Sequence, residues 1–379
     1  MKVLVIGTGS SPFVKEPIQF ALADGENNIY VTYNEQKDKA YLDFYNENNI
    51  NVINTHDRKN ILGRVPKLGV LYNIWIAVRR EMKTGKFNLI HIHSMNNYIM
   101  LLFIIRVLSK YSDRVICTFY GSDLLRKTDK QLKKMEKFFS KIDVFSMATD
   151  NLIDRFKEIY GDKYNNKIRK VPFGLSNLYF LDNLDKNKDY KRIFGINKNR
   201  IVISIGHNTC VEQQHISVLK EIASLSAEMK NKIAIILQLT YGNGTENYIK
   251  NVEEEANKIG CPIVVLRKYM SGDEIASMVS ATDIYINSQQ SDAISGAMLE
   301  YLYGGAAVIN PKWIDYTELK KAGCDFIQYD SFDDIPIIIE QIIAGQISCD
   351  FQENYLAVKK ISHWDVNKNK WRALFEGEQ

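Results

Sequence analysis

The feature that most constrains this chain is a repeated pattern: a short apolar run, a turn of small or polar residues, a stretch with helical spacing, then another apolar run. The first set of runs is Lys2–Ile6 (KVLVI), Asn28–Tyr33, Ile50–Asn54, Leu89–His93, Val115–Phe119 and Val144–Met147. The second is Ile201–Ile205 (IVISI), Ile233–Gln238, Ile263–Leu266, Asp283–Asn287 and Ala306–Ile309. Runs this short, alternating with helices, predict strands of a parallel, doubly wound α/β sheet. Between the two sets lies a polar, charged stretch, Leu181–Arg200, which reads as a linker. The 379 residues are enough for two such domains.

Composition removes several alternatives. The N-terminal apolar run is too short for a signal peptide, and no run reaches the roughly 18–20 residues of a membrane span. The five cysteines are scattered, with no C-x-x-C, which fits a reducing cytoplasm and gives no cysteine metal site. His91 and His93 share one face of a strand, but no third metal ligand is visible. The formal net charge is only +4, yet Arg106–Lys141 carries 10 basic against 4 acidic side chains. Upstream, Leu62–Lys83 sets Trp75 beside Arg79 and Arg80. Basic and aromatic residues in this arrangement suit an anionic membrane surface, while no nucleic-acid module is present.

The densest chemistry lies in Ser288–Pro311, SQQSDAISGAMLEYLYGGAAVINP. It reads as a polar loop after a strand, a helix over roughly Ile294–Tyr303 stopped by Gly304-Gly305, then another strand. Such loops at the C-terminal ends of parallel strands, feeding a helix N-terminus, are where open α/β sheets bind anions. Ser295, Gly296 and Ala297 are small enough to let a phosphate reach backbone N–H groups. Asp292 and Glu300 flank the spot, and two carboxylates around an anion site suggest a nucleotide-sugar pocket.

The spacing Asp292-x₇-Glu300, followed by Gly305 and a short apolar strand, resembles the E-x₇-E motif of the family 4 retaining glycosyltransferases of GT-B fold. Two departures are that the first acid is Asp and that Ala307 stands where a Pro is usual. KIRKVPFGLS, Lys167–Ser176, resembles the element that closes the first domain in that family, with Phe173 in place of an Asn. The C-terminal helix, read over Leu356–Glu376, resembles the family's terminal helix, with Trp364 in its Trp position. The resemblance implies an α/β GT-B architecture, two Rossmann-like domains facing across a cleft. The N-terminal domain would be 1–180 plus a crossing helix at 356–379, and the donor-binding domain 181–355.

The resemblance also implies roles. Asp292 would contact donor-sugar hydroxyls and Glu300 the ribose. The Arg and Lys that clamp the diphosphate in many members are His207, after Gly206, and Gln213 here. His207 could still donate a hydrogen bond, as a cation if protonated near neutral pH, and Arg267 or Lys268, after the strand VVL, could compensate. The loop Gly7–Ser11 precedes a helix read over about Pro12–Leu22 and, by the resemblance, helps form the acceptor side; His93 is expected to line the cleft, Asp123 is the best-placed carboxylate on that side, and Tyr120 stands near the reacting centre where the family often has a His. Asp123 has an equal reading as a helix cap. Gly206–Ile216, Thr240–Ile249 and Thr118–Leu124 are similar to segments of the 4-acetamido-4,6-dideoxygalactose transferases of enterobacterial common antigen synthesis.

The expected activity is therefore transfer of a sugar from a nucleotide donor to a lipid-linked or oligosaccharide acceptor in surface polysaccharide assembly. Retention, independence of metal and cofactor, and a cytoplasmic location with attachment at the inner face of the plasma membrane go with it. A nucleotide-sugar 2-epimerase and a catalytically silent GT-B partner subunit are the alternatives.

Overall fold

The computed structural model describes residues 1–23, 26–34, 41–57, 68–94, 103–104 and 106–377. The chain forms two compact units, Met1–Gly174 with Trp364–Gln379, and Leu175–His363.

The first unit is built on seven parallel strands: β1 Lys2–Ile6, β2 Asn28–Tyr33, β3 Asn51–Asn54, β4 Phe87–His93, β5 Ser112–Phe119, β6 Val144–Met147 and β7 Ile168–Lys170. Their order across the sheet is β3-β2-β1-β4-β5-β6-β7. The chain runs outward from β1 to β3, then returns to β4 and runs the other way, so the order reverses between β1 and β4. Val3, Leu4 and Val5 are wholly buried, as a central strand covered on both faces requires.

The second unit has six parallel strands: β8 Ile201–Ile205, β9 Ile233–Gln238, β10 Ile263–Leu266, β11 Ile284–Ile286, β12 Ala307–Pro311 and β13 Ile327–Tyr329. The order β10-β9-β8-β11-β12-β13 reverses between β8 and β11. Alternate residues of these strands feed two separate cores: Val202, Ala234, Ile236, Tyr285 and Val308 on one face, Ile203, Ile235, Leu237, Ile284 and Ile309 on the other.

Three expectations change. Leu181–Arg200 is not a bare linker: it lies in the second unit, with Tyr190 and Ile196 buried and the Lys191 ammonium donating to Asp283 at 2.6 Å and to the Arg200 carbonyl at 2.9 Å. The single terminal helix is two, Phe351–Ser362 and Trp364–Glu376, broken where His363 turns extended (ψ 138). Only the second of these belongs with the first unit. There Trp364 is fully buried, stacks on Phe20 at 4.9 Å and donates its indole N–H to Glu16 at 2.6 Å. Gly174 makes the fit possible, because a Cβ there would sit 2.3 Å from the Trp364 ring. Trp371 donates to the Pro172 carbonyl at 2.9 Å, completing the attachment. The helix expected over Pro12–Leu22 becomes a π-helical turn at Ile18–Leu22, after Pro17 removes an N–H from the ladder.

Candidate functional site

In the second unit, three loops at the C-terminal ends of β8, β9 and β11 lock together around the point where strand order reverses. Gly206 follows β8 with φ +62, and a Cβ there would lie 2.6 Å from His215 Nε2 and 3.0 Å from Gln213 Oε1. Only glycine combines that left-handed backbone with that crowding. The loop after β9 is pinned to the loop after β8: Thr209 N–H donates to the Tyr241 carbonyl at 2.7 Å, and Gly244 N–H donates to Thr209 Oγ1 at 3.2 Å. The loop after β11 is tied in through the Gln214 amide, which donates to the Ser288 carbonyl at 2.6 Å, and through Gln290 N–H, which donates to the Glu212 carbonyl at 3.1 Å.

This frame carries the two acids. Asp292 is half-buried in the loop after β11. Its Oδ2 accepts from the Tyr316 hydroxyl at 2.9 Å and from the Gln289 amide at 3.3 Å, and its Oδ1 from Ala293 N–H at 2.9 Å. Burial, then the Asp292 charge, pushes the Tyr316 pKa far up, so the phenol stays a donor. The helix runs over Gly296–Gly304, closed by left-handed Gly305 (φ 94), and does not extend back to Asp292. Helical spacing therefore does not relate the two carboxylates; the loop sets Asp292 and the helix sets Glu300. Ser295 is the N-cap, its hydroxyl accepting from Met298 N–H at 3.2 Å. The N–H groups of Gly296 and Ala297, in the first turn, have no intrahelical acceptor. Glu300 Oε1 accepts from the Asn177 amide at 2.8 Å, which orients the carboxylate.

His207 and Gln213, which stand where a phosphate clamp is expected, are both uncharged. His207 shares a 3.4 Å contact with the Tyr285 hydroxyl, and burial lowers its pKa to about 4, so it is neutral at pH 7 rather than a cation. Gln213 is buried, its backbone carbonyl accepting from the Ser288 hydroxyl. Arg267 lies at the end of the edge strand β10, where it pairs with Glu253 at 2.8 Å and Glu246 at 3.4 Å. Lys268 beside it is exposed. Charge repair by Arg267 thus competes with two carboxylates already on it. Tyr316 and Asn177, which hold the two acids, carried no signal in the sequence, being 24 residues from Asp292 and 123 from Glu300. Gly242 and Gly244 did: spaced glycines after a strand mark a close backbone approach.

In the first unit the reversal between β1 and β4 gathers different chemistry. His91 and His93 point the same way, with ring centroids 4.0 Å apart. His91 is core, its Nε2 2.7 Å from Thr118 Oγ1. His93 Nδ1 shares a 2.7 Å hydrogen bond with the Tyr120 hydroxyl. Burial lowers the His93 pKa to about 3 and raises that of Tyr120 far above its usual value, so the pair is uncharged. Gly7 permits the approach, since a Cβ there would lie 2.9 Å from His93 Cβ. Asp123 is fully buried and spent on structure: it accepts from Tyr120 N–H at 2.9 Å and from the Ser94 hydroxyl at 2.8 Å. Asp123 is not the N-cap of the turn Gly121–Leu124, which is Tyr120; it is the third residue inside that turn and reaches back to the Tyr120 N–H, and the carboxylate does not face solvent. Among the described residues no cluster of His, Cys, Asp and Glu could hold a metal ion.

Residues 2–151 match the family model described as Glycosyl transferase 4-like. No curated protein sequence matches the chain. Several solved structures do. A glycosyltransferase from Rickettsia africae shares 12% identity with a TM-score of 0.75, over 100% of this chain and 98% of that one. Anabaena HepE, solved with UDP-glucose, shares 14% with a TM-score of 0.75, over 100% of both chains. A sucrose-phosphate synthase from Thermosynechococcus elongatus shares 11% with a TM-score of 0.76, over 100% of this chain and 98% of that one. Identities this low speak for the fold, which is GT-B, with two Rossmann-like units. The chain resembles the family 4 glycosyltransferases in that fold and in the match of its N-terminal region.

Proposed function

We propose that the chain is a glycosyltransferase that binds a nucleotide sugar in its second unit and transfers the sugar to a glycan acceptor. The observation that carries the reading is the pair Asp292 and Glu300, placed on either side of a capped helix N-terminus at the reversal between β8 and β11. The diphosphate lies against the N–H groups of Gly296 and Ala297, where the helix dipole favours negative charge. Glu300 takes the ribose hydroxyls and Asp292 the hexose. Gly206 lets the backbone approach, and neutral His207 offers a hydrogen bond rather than a charge. The match to the glycosyltransferase 4-like family and the nucleotide-sugar complex of the Anabaena protein support it.

Transfer proceeds with retention. The anomeric C–O bond to the diphosphate breaks, the acceptor oxygen bonds to the same face, and its proton passes to the departing phosphate. The enzyme contributes positioning and stabilisation of the developing charges. The uncharged His93–Tyr120 pair contributes hydrogen bonds on the acceptor side, and neither metal nor cofactor enters. The acceptor is lipid-linked, in surface polysaccharide assembly, and the first unit attaches to an anionic membrane surface. Support for attachment is the Leu68–Glu81 helix, which exposes Leu68 and Ile76 and stacks Arg79 over Trp75 at 5.1 Å. Exposed Lys130, Lys133, Lys134 and Lys137 add charge. Residues 62–67 of the basic segment lie outside the described residues. Among the described residues no helix is long and apolar enough to cross a membrane.

The test is product analysis. Incubation with a panel of nucleotide sugars and lipid-linked acceptors should give a glycosylated lipid and free nucleoside diphosphate. A free epimerised nucleotide sugar, or no turnover at all, contradicts the reading.

A further inference from the structure

We propose that the exposed indole of Trp313 is a sugar-stacking surface beside Asp292, receiving the apolar face of a pyranose ring. The inference rests on the reading of Asp292 and Glu300 given above.

Trp313 is 43% exposed, whereas Trp364 and Trp371 are wholly buried. It lies in the loop after β12, and that loop is held. Lys312 N–H donates to the Tyr329 carbonyl at 2.9 Å, and Ile314 N–H to the Pro311 carbonyl at 3.3 Å. The Trp313 indole N–H donates to the Gln289 carbonyl at 2.9 Å. Its ring meets Tyr329 almost at right angles, with centroids 5.3 Å apart, and Phe332 at 5.7 Å. The one polar atom of the side chain is thus used and the ring orientation is fixed, so the surface left open is aromatic carbon.

The same contacts bind the ring to the proposed sugar acid. Gln289 accepts from Trp313 through its carbonyl and donates to Asp292 through its amide. Tyr316, three residues beyond Trp313, donates to the same oxygen, Asp292 Oδ2, at 2.9 Å. A fixed aromatic plane and a carboxylate therefore share one short loop system. A pyranose presents C–H bonds on its face and hydroxyls at its rim. An aromatic face with a nearby charged acceptor complements both, and an aromatic wall with a few placed polar groups is how sugar-sized ligands are held. A tryptophan that served only to fill space would be covered, as Trp364 and Trp371 are. The pyranose is either the hexose of the donor or a sugar of the acceptor, and both present this chemistry.

Two binding arms distinguish the sources. In the first, calorimetry measures a panel of UDP-, GDP- and dTDP-linked hexoses beside UDP, GDP and dTDP alone. In the second, a glycan array of uncharged pyranosides is probed with the full-length protein. Each uses wild type, Trp313→Ala and Trp313→Phe. Trp313→Ala should lose about tenfold or more in affinity for the sugar-bearing ligand, with binding of the bare nucleoside diphosphate unchanged. Trp313→Phe should keep most of the affinity. Loss in the first arm assigns the surface to the donor, and loss in the second to the acceptor. Unchanged nucleoside diphosphate binding shows that the variant is folded. If Trp313→Ala binds as wild type in both arms, or if wild type binds no pyranose in either, the proposal is overturned. Failure of the nucleotide site would appear separately, as wild type failing to bind any nucleoside diphosphate.

Discussion

The two units reverse strand order in the same way, yet fill the reversal point with opposite chemistry. In the first, between β1 and β4, the polar groups are buried, uncharged or consumed: His93 bonds to Tyr120, and Asp123 accepts from the Tyr120 N–H. In the second, between β8 and β11, two half-buried carboxylates flank a helix N-terminus and are oriented by Tyr316, Gln289 and Asn177. One topology thus holds a buried, internally hydrogen-bonded cluster in one unit and two half-buried carboxylates beside a helix N-terminus in the other. Topology fixes where a ligand lies, and the residues of the loops decide which ligand it is.

The largest expected effect comes from the glycine that opens the second site. Gly206→Ala places a Cβ 2.6 Å from His215 Nε2 at φ +62. Crowding of about 1–3 kcal/mol adds to about 1–2 kcal/mol of left-handed strain. Gly7→Ala in the first unit meets crowding alone and should cost less, so urea midpoints of the two variants rank the two sites. Equal midpoints would break the comparison.

Next is Asp123→Ala. It leaves Tyr120 N–H and the Ser94 hydroxyl without this buried acceptor, at about 1–3 kcal/mol each at most. Stability should fall while nucleoside diphosphate affinity stays as in wild type. A turnover loss without a stability loss would restore Asp123 as a reacting carboxylate.

The buried histidines give a pH dependence. His93 and His215 are lowered to about 3 and His207 to about 4, all by burial, from an ordinary value near 6.5. Below pH 6.5 the unfolded chain takes up protons that the folded chain does not. Stability is therefore flat above about pH 7 and falls as pH drops toward 4, by up to about 1.4 kcal/mol per pH unit for each histidine. Denaturant melts from pH 8 to pH 4.5 measure it. Nucleoside diphosphate affinity, in contrast, should show no step from His207 near pH 6.5.

How far the sequence showed this site can be judged residue by residue. The local structure around Asp292, Ser295, Gly296 and Glu300 was legible, because a capped helix after an apolar strand has a local signature and Gly304-Gly305 marks its end. Most strands were legible for the same reason. β7 and β13 were not: each has three residues with a polar one in the middle, Arg169 and Gln328, so neither makes an apolar run as the equally short β11 (IYI) does. The break at His363 has no Pro or Gly to mark it; it arises because Trp364 must reach the hole left by Gly174, a contact 190 residues away. The neutrality of His207 and the consumption of Asp123 follow from burial, and burial is set by residues distant in the chain.

The smallest expected effect is Arg267→Ala. Its partners Glu253 and Glu246 already hold it at the exposed edge of the sheet, and pairs of this kind contribute about 0–1 kcal/mol. Donor affinity should change by less than about twofold. A tenfold loss would show that Arg267 leaves its partners to serve the second site as the missing clamp.

The central claim is that the second unit's carboxylates make a nucleotide-sugar site, and calorimetry of nucleoside diphosphate binding to wild type and Glu300→Gln tests it most directly. Hydrogen bonds to a charged acceptor contribute about 1.5–3 kcal/mol each, and about 1.4 kcal/mol is tenfold. The account predicts about a tenfold or greater loss in Glu300→Gln, with the thermal midpoint kept. Equal affinity in the two proteins would contradict it.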